Sequence, residues 1–240
     1  MKHLLPSLKN VLPNSKATRS ELHVWLKWIV CEVEETQRLA FSAAQEQWSS
    51  MLGQSGLVGQ FGGWDRVPLE GQQASRAGVL GLWENQKSLE AFMAPQGLHD
   101  QIYAANQQGA TMRSCKVSLF HELFPMAGAF PSLRAAAREA TWLRVASCRV
   151  SDAAYLSFLE AQRQIWLPGM RAAPGMLGGS FAGDGSDGFL VVTLWKSEDD
   201  HAHYRREILP SLRKQVMTMG GFPDSLLGFS IRLEPRWNIL

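Results

Sequence analysis

No apolar run in these 240 residues reaches the ~18 that would suggest a membrane span. The three cysteines cannot all pair, and no CxxC or His/Cys metal spacing occurs, so the simple reading is buried thiols in a reducing, cytoplasmic setting. No GxGxxG opens a helix, which argues against a dinucleotide fingerprint. Basic and acidic residues number 24 and 22, with no long basic run and no basic–aromatic interleaving, so nothing points to nucleic acid. Nucleophile–base pairs and paired carboxylates are missing as well. The first 20 residues lack acids and are broken by Pro6 and Pro13, which spoils a signal h-region. Residues 1–22 read as an N-terminal extension, with a processed targeting segment as the other reading.

What is abundant is tryptophan, nine in all, among 45% hydrophobic residues. Such rings are either plain core mass or the walls of a site for a planar ligand. Two of them mark an internal repeat. WLKWIVCEVEETQRLAFSAAQEQW at 25–48 returns without a gap as WLRVASCRVSDAAYLSFLEAQRQI at 142–165, with nine of 24 positions identical. The chain is a tandem duplication, which fixes how everything else is read. Residues 23–123 form the first unit, 124–140 a linker and 141–240 the second unit.

Within each unit the pattern alternates. VWLKWIVCEV at 24–33 reads as a buried strand, apolar on both faces. The helix after it puts Phe41, Ala44, Gln45, Trp48 and Leu52 on one face. Buried there, Gln45 needs a hydrogen-bond partner; it either caps a strand end or looks into a cavity. GLVGQFGGWD at 56–65 answers GMLGGSFAGD at 175–184, and strand glycines signal a bulge, a bend or a close approach. RVPLEGQQASR then reads as a hairpin loop. Third strands, AGVLGLWE and FLVVTLWK, precede second helices, the first of which Pro95 and Gly97 should split. Fourth strands at 111–123 and 225–234 complete β–α–β–β–α–β twice, the ferredoxin-like order. The expected fold is α+β: two ferredoxin-like repeats packed sheet to sheet as an intramolecular α/β barrel, a pseudo-dimer in one chain.

The duplicated order resembles the dimeric α/β-barrel, antibiotic biosynthesis monooxygenase-like superfamily. LKWIVCEV, FSAAQEQW, GLVGQFGGW, FM with HD at 99–100, and KVSLFHEL make residues 24–123 similar to the YdbC-like family of uncharacterised bacterial proteins. The resemblance implies a pocket between each sheet and its own helices. It spans cofactor-free monooxygenases, quinol oxygenases, haem-degrading oxygenases and plain binders, so function needs a separate argument. Because the second copy loses the GGW and HD positions, the first half is the expected seat of a working pocket. Haem is the one cofactor the resemblance raises, yet the first strand lacks the Asn of the haem-degrading members, and Phe92 and Ile102 stand where their Trp and haem-ligating His would be.

The expected activity is oxygenation of an aromatic or quinol-type substrate without a metal. The competing class is a non-catalytic hydrophobic-ligand or haem binder, or a scaffold pseudo-enzyme. His99, followed by Asp100, is the candidate catalytic base or orienting group, its alternative being a surface or helix-capping histidine. Trp28, Gln45, Trp48, Trp64, Trp83 and Asn106 are the candidate substrate wall. His201 and His203, inside SEDDHAHYRRE, read as part of a solvated helix face. The partners expected are a small hydrophobic or aromatic molecule, no nucleic acid and no membrane, with a further homodimer left open.

Overall fold

The computed structural model describes residues 24–67 and 73–240; the expected N-terminal extension and the middle of the 66–76 loop lie outside them. The first unit runs β1 (Trp25–Glu34), α1 (Arg38–Glu46), β2 (Leu57–Asp65), β3 (Ala74–Trp83), α2 (Gln86–Met93), α3 (Leu98–Ala105) and β4 (Ser114–Ala127). After α4 (Leu133–Glu139) comes the second: β5 (Trp142–Arg149), α5 (Tyr155–Ala161), α6 (Leu167–Arg171), β6 (Met176–Gly183), β7 (Gly188–Trp195), α7 (Glu198–His203), α8 (Leu209–Met219) and β8 (Ser225–Leu233). Pro95 and Gly97 do separate α2 from α3. Asn85, Ser132 and Ser197 cap α2, α4 and α7 by accepting from the main-chain N–H three residues on.

All eight strands close into one antiparallel barrel in the order β1-β3-β2-β8-β5-β7-β6-β4. Each half contributes the ferredoxin-like order 4-1-3-2, and the halves meet at two seams. At one, β4 pairs with β6 from His121↔Gly183 to Ala127↔Gly178; at the other, β2 pairs with β8 only over Gly63↔Leu233, Trp64↔Arg232 and Asp65↔Ile231. Asp65 reinforces that short seam: its Oδ1 accepts from Ser230 N at 3.0 Å, and its Oδ2 pairs with Arg76 at 2.6 Å.

Alternation along the strands separates two environments. Leu26, Trp28, Leu80, Leu82, Leu143, Val145, Leu190, Leu194 and Phe229 point into the barrel, where they are 0–3% exposed. Each buried aliphatic there is worth about 1.5–3 kcal/mol. Gly78 opens room for Trp28, since a Cβ on it would stand 2.6 Å from the indole. The intervening residues, Trp25, Lys27, Ile29 and Cys31 on β1 and Trp142, Arg144, Ala146 and Cys148 on β5, face the helices. The strand glycines also mark bulges, at Leu57/Gly59 and again at Met176/Gly178. Trp237, without a counterpart in the repeat, is buried against Phe41 and Trp64 under α1.

Candidate functional site

A cavity of about 420 Å³ lies in the second half, between the outer face of β5, β7 and β8 and the helices above them. Its floor is Arg144, Ala146, Cys148, Thr193 and Ser230; its walls include Phe158, Gln162, Trp166, Tyr204 and Leu209. The residues that form it lie where the helices depart from α geometry. Gln162–Trp166, joining α5 to α6, and Tyr204–Ile208, joining α7 to α8, are π-helical turns. Pro168 and Pro210 each follow two residues after such a turn. A proline donates no N–H and crowds the carbonyl four residues back, here Gln164 and Arg206, the middle residues of the two wide turns. The widening accommodates the prolines and turns Gln162, Trp166, Tyr204 and Arg205 toward the cavity.

Three polar groups define the chemistry. His201, 3% exposed, accepts at Nδ1 from the Trp142 indole N–H at 3.1 Å. An indole nitrogen only donates, so the imidazole proton sits on Nε2. Burial, followed by the Arg144 and Arg205 cations, pulls its pKa down from 6.5 to about 3, so it is a neutral donor and a poor base at neutral pH. Tyr204 is buried against Trp195 and His201, and burial pushes its phenol pKa up. Arg144 donates Nη1 to the Phe229 carbonyl at 2.8 Å and to the Val145 carbonyl. Burial, then Arg205, lowers its pKa.

The first half arranges the expected residues otherwise. Trp28 is in the barrel core, edge-on to Phe229 at 5.4 Å. Trp64 packs on Phe41 and Trp237 with Arg38 over its ring, and Trp83 lies 4.8 Å from Phe92. His99, Trp48 and Phe92 do come together, with ring centroids 5.5 Å from His99 to each, and Tyr103 stacks on His99 at 5.9 Å. Burial, then Lys27, lowers the His99 pKa against the opposing pull of Asp100 3.1 Å away. Trp48 donates to Gln108 at 2.6 Å, Asn106 to the Ala44 carbonyl at 3.5 Å, and the Gln45 Oε1 is buried without a partner.

The cavity described above sits in the half that lost GGW and HD, while the candidate residues His99, Trp48 and Asn106 lie in the other half. The histidine expectation is corrected. His201 is not on a solvated face, although His203 is exposed. Cys31 and Cys148 are buried as expected, whereas Cys115 is exposed and faces Cys31 across the β1–β4 ladder with 2.9 Å between sulfurs.

The signal that was available is positional. Arg144 repeats Lys27, Gln162 repeats Gln45, Thr193 repeats Gly81, and His201 and Tyr204 repeat Leu89 and Phe92. Reading the halves against each other shows the second copy keeping the cation and the glutamine while trading Gly81, Leu89 and Phe92 for the polar Thr193, His201 and Tyr204 around one spot. The copy offset also rises from 117 to 119 across the first helix, so two extra residues lie there.

Among the described residues no group of three or more His, Cys, Asp or Glu is placed to hold a metal ion. They also fit haem poorly. The His201 Nδ1 accepts from Trp142, so the Nε2 that faces the cavity carries the proton and offers no lone pair to iron, while His99 is hemmed by three rings, so neither is a poised axial ligand.

An eight-stranded barrel closed from two βαββαβ units, with a cavity between one sheet and its own helices, defines a dimeric α/β-barrel protein made in one chain. The chain belongs to the family of the domain of unknown function DUF4937, which matches residues 25–120. Over 97 residues it is 34% identical to the uncharacterised protein YdbC of Bacillus subtilis, covering 40% of this chain and 77% of that one. Among solved structures it is similar in fold to a candidate monooxygenase of Fusobacterium nucleatum, with a TM-score of 0.67, 11% identity, and coverage of 89% and 94%. An anthrone oxidase-like protein matches with a TM-score of 0.61 and 10% identity over 89% of this chain and 92% of that one.

Proposed function

We propose that this protein is a monooxygenase-like enzyme that oxidises an aromatic or quinol-type small molecule, without a metal, in the cavity over β5. The observation that carries the reading is that cavity: Phe158, Trp166 and Tyr204 offer flat apolar walls, and the His201 Nε2–H and the Arg144 guanidinium offer donors. The fold neighbours named for monooxygenase and anthrone oxidase chemistry are in keeping with it.

The residues divide the work. The rings exclude water and orient a planar substrate. Arg144, with its charge in a partly desolvated setting, favours the ionised substrate, and the His201 and Tyr204 donors stand where charge builds on oxygen. An ionised anthrone or quinol supplies its own electrons. For an anthrone, O2 delivers one atom to the former CH2, which becomes C=O, and the other atom leaves as water with the two hydrogens. No described carboxylate lines the cavity, so ionisation relies on electrostatic stabilisation rather than on a strong base.

The test is oxygen consumption with anthrones and hydroquinones under single-turnover and steady-state conditions. Uptake above the spontaneous rate, reduced by at least tenfold in Arg144→Gln, supports the reading. Spontaneous rates only, with every substrate, would remove it. In that case saturable binding of the same compounds would identify a non-catalytic binder, the reading that the missing base favours.

A further inference from the structure

The cavity is cationic in a way that oxygenation of a neutral phenol does not require. Arg144 stands on its floor, and Arg205 and Arg213 stand at its exposed mouth. Among the described residues no carboxylate comes within ion-pair distance of any of the three. The acids close to them in sequence are engaged elsewhere or turned outward: Glu207 pairs with Arg206, and Asp200 accepts from Ser197 at the α7 cap. Asp65, itself paired with Arg76, is the acid whose field reaches Arg144, but it makes no ion pair with it, so three guanidinium groups converge on one apolar-walled space with no carboxylate in contact. Left empty of an anion, such an arrangement costs stability through desolvation and mutual repulsion.

Arg144 is also held in one pose. Its Nη1 is fastened to the Phe229 and Val145 carbonyls, and its Nη2 lies on the Cα side of Gly228, where any Cβ would collide with it. Glycine at 228 is therefore a seat for the guanidinium. The anchoring occupies one nitrogen and leaves the rest of the planar fork without a described acceptor. A fixed, half-used arginine fork matches the two oxygens of a carboxylate better than it matches a lone hydroxyl. In the first half the same strand position is Lys27, whose Nζ rests over the Phe92 ring, 5.1 Å from its centroid, so the fork belongs to the second half alone.

We propose that the natural ligand of the cavity is an aromatic carboxylate, its carboxylate held by Arg144 and drawn in past Arg205 and Arg213, its ring between Trp166, Phe158 and Leu209. This rests on the cavity being the ligand site, but not on the ligand being oxidised there. Entry past two exposed arginines would also make association faster at low ionic strength.

The experiment compares two probes of nearly equal shape, 2-naphthoate and 2-naphthamide, by calorimetric titration into the full-length protein at neutral pH. Naphthoate should bind roughly tenfold or more tightly than the amide, because a charge-assisted bond replaces a neutral one. Arg144→Gln should bring the ratio of naphthoate to naphthamide affinity from roughly tenfold or more down to about one, read as the ratio whatever the variant does to the amide itself. Arg205→Gln, at the solvent-exposed mouth, should weaken naphthoate by roughly twofold to fivefold with no change in fold by circular dichroism. Equal affinity for the two probes, binding of neither at millimolar concentration, or an undiminished preference in Arg144→Gln overturns the proposal. If Arg144→Gln does not fold, an unchanged naphthoate affinity in Arg205→Gln overturns it instead. Loss of the proposed oxygenase activity with naphthoate preference intact would leave this inference standing; oxygen uptake from neutral anthrones without any naphthoate preference would do the reverse.

Discussion

Replacing His201 by glutamine should flatten part of the acid sensitivity of the fold. In the native protein burial and two nearby cations hold the imidazole neutral, with its pKa down from 6.5 to about 3. The unfolded chain takes up a proton near 6.5, so between those values the unfolded state carries more protons than the native state. Stability from this group is therefore complete above about 6.5 and is lost as the pH falls toward 3. The full effect is on the order of 4–5 kcal/mol, and the part lost between pH 7 and pH 5 is about 2 kcal/mol. His201→Gln keeps an acceptor for the Trp142 N–H and carries no proton equilibrium in this range. Urea unfolding of both proteins at pH 7, 6 and 5 measures the difference, since the carboxylates and His99 are common to both and cancel. The wild type should lose about 2 kcal/mol more than the variant across that interval. Parallel losses would mean that His201 is solvated or charged in the native state, and the donor role assigned to Nε2–H would fall with it.

Other perturbations test separate parts of the structure. Gln45→Leu removes a buried oxygen that has no partner; a gain of about 1 kcal/mol in urea unfolding is expected, and a loss of that size would show a bound partner for the amide. Gly63→Val places a side chain against the Arg232 carbonyl in the short β2–β8 seam; a loss of ~3 kcal/mol is expected in thermal or urea unfolding, and a neutral outcome would mean that the seam is not closed as described. Cys115 is exposed and its pKa is lowered through the thiol contact with Cys31, whereas burial pushes the Cys148 thiol up to about 12. Maleimide at neutral pH should therefore label the Cys115 peptide first by mass spectrometry; equal labelling of Cys148 would contradict its burial.

The duplication was enough to reach the barrel, because a strand apolar on both faces has to be covered twice, once by helices and once by the facing strands. Repeat identity is a weaker guide to burial: Leu39 and Leu156 match between the copies, yet they are 87% and 77% exposed. The site was hard to read for a related reason. Arg144 looks like one charge in a strand, and His201 like one more polar residue in SEDDHAHYRRE. Burial of His201 follows only from helical spacing, which puts it on one face with Tyr204, and from the register that sets it beside Leu89 of the first copy. The fork on Gly228 depends on two strands meeting, which no local pattern encodes. Trp28, Trp64 and Trp83, offered as a substrate wall with plain core mass as the alternative, pack in three separate apolar clusters, against Phe229, against Phe41 and Trp237, and against Phe92. Pro168 and Pro210 carried the signal for the widened helices, because a proline in mid-helix has to be absorbed by the turn before it.

The two seams make the barrel a hoop with unequal clasps. The clasp between β4 and β6 is long, while that between β2 and β8 is briefer, extended by the Arg66 N–H to the Ser230 carbonyl and the Glu234 N–H to the Gly62 carbonyl and backed by the buried Asp65 carboxylate. Thermal fluctuation acts on the weaker clasp first, and it adjoins the cavity, whose lining includes Val67, Gly228 and Ser230. A molecule seated on Gly228 and Ser230 would then act as a rivet: it would steady the joint between the two ancestral halves, and slackening of that joint would give it a way out.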